Sequence, residues 1–284
     1  MPRLRTQPKP VTIFLAMVVT ASILEGCGRK VGSLATFSGG VLGGAEYYEG
    51  TEGLNGHELK SRLHVIIGDA MRLTYNQTLN KLQFTDQDDQ HPDRVIMIYS
   101  GKSLAAAGDG TSAGWNREHI WAKVRGFPHA DMIPYTDLHN LRACEVTVNS
   151  TRSSMDFGEV AAGREVADAP GVRYDSDLGI FEPRDEVKGD IARVMFYMDV
   201  RYQGDRAKEP DLRLVEHLPA QIRNGVDADG HGYFANLSTL IRWHEQDPVD
   251  DRERRRNERV WQVQGNRNPF IDHPEFVREV FATR

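Results

Sequence analysis

Apolar residues recur at helical spacing in several stretches of the chain and bunch into short runs between them, and that contrast sets the expected architecture. From Glu58 to Leu73, residues Leu59, Leu63, Ile66, Ile67 and Met71 fall on one side of a helix. From Asp185 to Tyr202 a strong stripe of Val187, Ile191, Val194, Met195, Met198 and Val200 predicts a second. Asn236 to Glu245 and Pro248 to Val263 predict two more, the last heavily charged. Between these lie shorter segments. Val95 to Tyr99 (VIMIY), ended by Ser100-Gly101, reads as a strand. Two further runs surround Trp115 to Trp121 (WNREHIW) and Asp137 to Leu141; the GFPHADMIPYT between them carries two prolines and a glycine and is no single regular element. Cys144 to Gly158 reads as a short helix with polar residues on one side. The expected class is α+β, a small strand pair inside a mostly helical frame.

The first residues follow a different pattern. Arg3, Arg5 and Lys9 precede an apolar run from Val11 to Leu24, of signal-peptide length and too short for a comfortable membrane span. The run ends in Leu24-Glu25-Gly26-Cys27, which resembles a bacterial lipobox, with Glu25 where a small residue is usual. Residues 1–27 are therefore expected to be a signal peptide whose Cys27 is lipidated, placing the protein in the cell envelope or outside the cell. Residues 28–46, rich in glycine and small residues, read as a flexible tether, and 47–284 as the folded domain. The one other cysteine, Cys144, has no partner for a disulfide if Cys27 is lipidated, and reads as a small buried apolar residue.

The chain of 284 residues is 39% hydrophobic and 27% charged, with a formal net charge of -6. That balance excludes a protein that coats nucleic acid by bulk electrostatics, but not an enzyme whose local site holds phosphate through a bound cation. The candidate chemistry gathers in the middle of the chain. Glu118 and His119 are adjacent, which alone is a weak signal. Behind them come Asp137-Leu138-His139-Asn140-Leu141-Arg142 and Val148-Asn149-Ser150-Thr151-Arg152, adding a second hard oxygen ligand and two guanidinium groups. His139 reads equally as an orienting group or as a hydrogen-bonding residue of the hairpin. Trp115 and Trp121 read as core anchors before base-stacking platforms. Asp227-Ala228-Asp229-Gly230 lacks the full ligand pattern of a calcium loop and reads as a surface turn; His244-Glu245 lacks the second histidine of a zinc protease.

Taken in order, YYEGTEGLNGHELKSRLHVII, VIMIYSGKS, WNREHIW, TDLHNLR, VNSTRSSMDFG, DEVKGDIARVMFYMDVRY and WHEQDPVDDRERRRNERVWQVQGNRNPFIDHPE resemble the bacterial endonuclease I family, nucleases of the ββα-metal superfamily. The resemblance extends from about Tyr47 to about Glu275. It implies a ββα-metal core, a short hairpin plus a helix, within the helical frame. It also implies His119 as general base, which an unperturbed pKa near 6.5 suits. Glu118 and Asn149 would then be the protein ligands of Mg²⁺, with Ca²⁺ or Mn²⁺ as alternatives, since hard cations take oxygen donors and keep much of their water. Arg152 and then Arg142 become phosphate clamps. The implied substrate is DNA and possibly RNA, cut without sequence preference by a monomer with no evident protein partner. The chain departs from the family's wording at Ala122 (usually Pro), Val124-Arg125 (a Ser-His-like pair), Ala143-Cys144 (Pro after Arg) and Ser153-Ser154 (Gly-Asn). Two other functions remain open at this point: an envelope lipoprotein that binds nucleic acid without cutting it, reached through its lipid anchor, and a phosphodiesterase of small substrates.

Overall fold

The computed structural model describes residues 46–107, 114–222 and 224–281; the expected signal peptide with Cys27, and the expected tether through residue 45, lie outside them. In chain order the elements are α1 (Gly56–Ile67), α2 (Tyr75–Thr85), β1 (Arg94–Ile96), β2 (Ser103–Ala105), β3 (Trp115–His119), a 3-10 turn (Ile133–Thr136), β4 (Leu141–Glu145), α3 (Val146–Arg152), β5 (Asp156–Phe157), β6 (Arg164–Glu165), β7 (Arg173–Asp175) and β8 (Ile180–Glu182). A second 3-10 turn (Asp185–Val187) leads into α4 (Lys188–Arg201), followed by β9 (Leu212–Leu214), β10 (Gly232–Phe234), α5 (Leu237–Gln246), α6 (Asp251–Gln264), α7 (Pro269–Asp272) and α8 (Phe276–Phe281). Among the described residues no helix is long and apolar enough to cross a membrane.

The α+β expectation holds, with helices at all four predicted places and more strand than the pattern showed. β5, β8, β7 and β6 form a four-stranded sheet, and β9 pairs with β10 in parallel. These strands have two or three residues each, too few for an alternating pattern to emerge. The first predicted helix is shorter than expected. It ends at Ile67, and Met71, placed on its apolar stripe by sequence, is exposed. Its backbone N–H donates 2.7 Å to the carbonyl of Gln264, so 68–74 runs as an irregular strap across the end of α6.

α4 is buried along its whole length and packs against α1, α5, α7 and β9. A helix buried all round is expected to be apolar all round. Here its charged residues are each matched: Arg193 bridges Glu253 of α6, and Arg201 bridges Glu209. The main core surrounds α4, and a smaller one (Leu82, Met97, Trp115, Leu138, Leu141, Ala143 and Val260 among others) lies between α2, α6 and the β3–β4 hairpin. The hairpin is thus held between two cores.

Asp86, just after α2, fastens this smaller core. It accepts from Arg256 Nε of α6 at 2.5 Å and from the Ala143 backbone N–H of β4 at 2.6 Å, while its own carbonyl takes the Ile96 N–H of β1. The neighbouring guanidiniums of Arg256 and Arg142 hold its carboxyl below the usual range against the opposing effect of burial. Removing the carboxylate would leave Arg256 buried and unpaired. Asp86→Ala should therefore cost about 3–5 kcal/mol in urea unfolding, and a loss under about 1 kcal/mol would contradict this role.

Candidate active site

The register of the β3–β4 hairpin decides which side chains share a face. Trp115 opposes Glu145, Arg117 opposes Ala143 and His119 opposes Leu141, while Asn116 opposes Cys144 and Glu118 opposes Arg142. Side chains alternate faces along a strand, so Trp115, Arg117 and His119 lie on one side and Asn116 and Glu118 on the other. The first side meets α2 and the small core; the second meets α3, which starts directly after β4. At the end of β3 both sides reach one cleft of about 360 Å³, lined by Tyr75, Arg117, Glu118, His119, Lys123, Asn149 and Arg152 with the 153–154 turn. The structure therefore brings together Glu118, His119, Asn149 and Arg152 as the sequence suggested.

His119 is 6% exposed, and burial pushes its imidazole down to about 3. Its Nε2 lies 3.0 Å from the carbonyl oxygen of Tyr135. A carbonyl can only accept, so Nε2 carries the proton and Nδ1 is left with the lone pair. Rings fix the imidazole from several sides: Tyr135 meets it edge-on at 5.0 Å and Tyr75 lies nearly parallel at 6.3 Å. The imidazole is therefore neutral and oriented, with one nitrogen free to take a proton, but burial makes it a weaker base than the value near 6.5 expected from the sequence.

Glu118 is 3% exposed and accepts 2.7 Å from the Tyr99 hydroxyl, with Arg152 Nη1 at 3.5 Å. Burial raises its carboxyl; Arg152 and the tyrosine hydroxyl pull the other way without fully offsetting it. A further positive charge would fit this place. Asn149, on α3, donates both amide hydrogens to the hairpin, to Asn116 Oδ1 at 2.6 Å and to the Arg117 carbonyl at 3.2 Å. Its own Oδ1 is what remains for a ligand. A buried carboxylate and an amide oxygen form a hard donor set that fits a divalent cation.

Two expected clamps are placed otherwise. Arg142 does not line the cleft: it is buried between Asp190 Oδ2 at 3.4 Å and Asp86 at 4.0 Å, so it supports the small core. Arg152 does line the cleft but is fully buried, its guanidinium donating to the carbonyls of His119, Ile120 and Ser153. It staples the end of β3 and pairs with Glu118, and does not present an open fork. Trp115, Trp121 and Cys144 are buried as anchors and filler. His139 hydrogen-bonds the Asn266 carbonyl and packs on Tyr197, a structural position. The Asp227–His231 turn brings Asp227, Asp229 and His231 ligand atoms within 4.8 Å of one another, enough to hold an ion, although Asp227 already bonds His231 and Tyr233. It stands outside this cleft.

Sequence reasoning missed Tyr75, Tyr99, Arg117 and Lys123. Tyr75 had a signal: Thr74-x-x-Gln77 is a capping box, and both of its hydrogen bonds form, fixing the start of α2 at the cleft rim. Tyr99 ends the predicted strand run, and a buried tyrosine hydroxyl needs a partner.

A hairpin ending in adjacent Glu and His, followed at once by a helix carrying an Asn, is the ββα arrangement of metal-dependent nucleases. The chain belongs to the Endonuclease I family, whose model matches residues 55–275. It is 47% identical over 240 residues to the extracellular ribonuclease of Bacillus subtilis (strain 168), covering 83% of this chain and 78% of that protein. The extracellular ribonuclease of Bacillus amyloliquefaciens is 46% identical over the same shares. The extracellular deoxyribonuclease of Aeromonas hydrophila is 29% identical over 137 residues, 48% of each chain. The protein is thus a nuclease.

One departure from the family's wording has a structural consequence. Ser153 follows α3 with φ 53° and ψ -117°, and Met155 N–H donates back to the Arg152 carbonyl at 3.2 Å. This is a type II′ turn with Ser153 at its first central position, where glycine is strongly preferred. Arg125, another departure, donates to the Ser154 carbonyl and to Asp156, bracing the strained turn from outside. Ser153→Gly should stabilise the protein by about 1 kcal/mol in urea unfolding by relieving the positive φ. An unchanged or lower midpoint would count against strain at this turn.

Proposed function

We propose that the protein is an exported, sequence-nonspecific endonuclease that hydrolyses phosphodiester bonds of both RNA and DNA. In this reading His119 is the general base and Glu118 and Asn149 hold one divalent cation. The observation that carries the reading is the commitment of His119 Nε2 to the Tyr135 carbonyl, which leaves Nδ1 as the basic nitrogen in the cleft. From there His119 takes a proton from the attacking water. The rings of Tyr75 and Tyr135 keep the imidazole aimed, and Arg152 holds the carbonyls at the end of β3 so that the base and Glu118 stay in register. Glu118 and Asn149 would hold a Mg²⁺, or a Ca²⁺ or Mn²⁺ on the same oxygens, which would supply positive charge against the negative charge that develops during hydrolysis.

Activity on both nucleic acids follows from the nucleophile. Water, and not the ribose 2′-hydroxyl, is what His119 activates, so the sugar is not needed for chemistry. The relatives' names, ribonuclease and deoxyribonuclease, are in keeping with that breadth. The names also include the word extracellular, which agrees with the basic and apolar N-terminal segment in supporting export.

The protein is to be incubated with an RNA and a DNA of equal sequence, in Mg²⁺ and in EDTA. Both should be cut in Mg²⁺ and neither in EDTA, and the RNA products should lack 2′,3′-cyclic phosphates. Equal rates with the chelator would remove the cation, and cyclic ends would remove water as nucleophile. Binding without cleavage under every divalent ion would make the protein a scaffold. His119→Ala should lower kcat by about 10²- to 10⁴-fold with fold and substrate binding kept; a wild-type rate would exclude His119 as base.

A further inference from the structure

With Arg142 sealed among acids and Arg152 bound to backbone carbonyls, a different cation in the cleft has to meet the substrate's phosphates. Arg117 is the candidate with a guanidinium nitrogen to spare. It lines the cleft, is partly exposed, and shares a face of β3 with His119. Its guanidinium lies 3.6 Å over the Tyr75 ring, and its Nη1 donates 2.7 Å to the Tyr75 carbonyl. Those contacts fix the plane of the group and use one end of it. Nε is enclosed by the protein and makes no hydrogen bond, so Nη2 is the guanidinium nitrogen left for a ligand, and no ion pair joins the side chain to a carboxylate of the described residues.

The stacking on Tyr75 and the bond to its carbonyl hold the guanidinium of Arg117 in a fixed orientation, with no acid upon it, in a residue that lines the cleft. A guanidinium held in place and still carrying free N–H donors suits a non-bridging oxygen of a phosphodiester. Lys123, the other partly exposed cation of the cleft, already donates 3.0 Å to the Tyr135 hydroxyl.

We propose that Arg117 binds a phosphate of the substrate strand beside His119, through its Nη2 hydrogens, and so positions the strand for attack. This rests on the nuclease reading above. The Tyr75 ring spans both residues, with Arg117 and His119 on the same side of β3, so the grip and the base act on neighbouring parts of one strand.

The test compares wild type, Arg117→Ala and Arg117→Lys on a fluorescent 12-nucleotide single-stranded DNA and on the RNA of the same sequence. KM and kcat are measured across salt concentrations, with thermal unfolding as a check on folding. Arg117→Ala should raise KM about 10- to 100-fold, affect kcat less, and lower the slope of log KM against log salt by about 0.7, the loss of one phosphate contact on a single strand. Arg117→Lys should keep the slope and still raise KM several-fold, because a flexible ammonium replaces a planar guanidinium held by the Tyr75 ring and carbonyl. A fall in kcat with KM and the salt slope unchanged would mean that Arg117 only props Tyr75, and would overturn the proposal. Should the alanine variant fail to fold, wild-type KM in Arg117→Lys overturns it equally. A wild-type protein that cuts neither substrate would instead defeat the nuclease reading, so the two failures are distinguishable.

Discussion

A carboxylate carried into the interior sets the terms for the rest of the site. Glu118 is buried at the end of β3, and burial penalises its charge. Tyr99 and Arg152 answer part of that demand. Arg152 can do so only because α3 begins directly after β4, which places the last residue of the helix under the end of the neighbouring strand. The same side chain then holds the carbonyls of His119 and Ile120, so support of the acid and placement of the histidine come from one guanidinium. In the proposed function a divalent cation would meet what is left of the demand.

The hairpin could not bear this load unless it were rigid, and its rigidity comes from being packed on both faces. Trp115, Leu141 and Ala143 turn into the small core against α2 and α6, while Cys144 turns into the main core. Asp86 ties α2, β1, β4 and α6 together in one set of bonds. Buried ion pairs are often no more stabilising than apolar packing, but they are specific, because an unpaired partner is heavily penalised. Here Arg256–Asp86 and Arg193–Glu253 act as registration pins between helices, and Arg201–Glu209 pins α4 to the segment that leads into β9. They also account for where the arginines went. Many basic groups of this net-acidic chain are used internally, and the cleft keeps its partly exposed cations, Arg117 and Lys123, at the point where a polyanion would enter.

Much of this was legible in the residues. The helical stripes gave four helices at nearly the right places, and WNREHIW gave β3. Glu118, His119, Asn149 and Arg152 do line one cleft, as their order in the chain suggested. The misses have separate causes. Met71 continues an apolar stripe, yet Gly68 follows the helix end and a backbone bond to Gln264 pulls the next segment straight. The four-stranded sheet is made of strands too short to carry a period. Arg142 and Arg152 look like free cations in a list of letters, since nothing local reveals that Asp86, Asp190 or three carbonyls will reach them.

The sequence by itself determined the elements and the chemical groups available, because periodicity, capping and residue type are local properties of the chain. It placed an acid beside a histidine and an amide one hairpin later. Only the tertiary structure decided how each group is used. The carbonyl of Tyr135 chooses the tautomer of His119, the carboxylate partners choose which arginines are structural, and the ring and carbonyl of Tyr75 fix the guanidinium of Arg117 without neutralising it. Those choices depend on contacts between residues far apart in the chain, where the competition for each donor and acceptor is settled by packing.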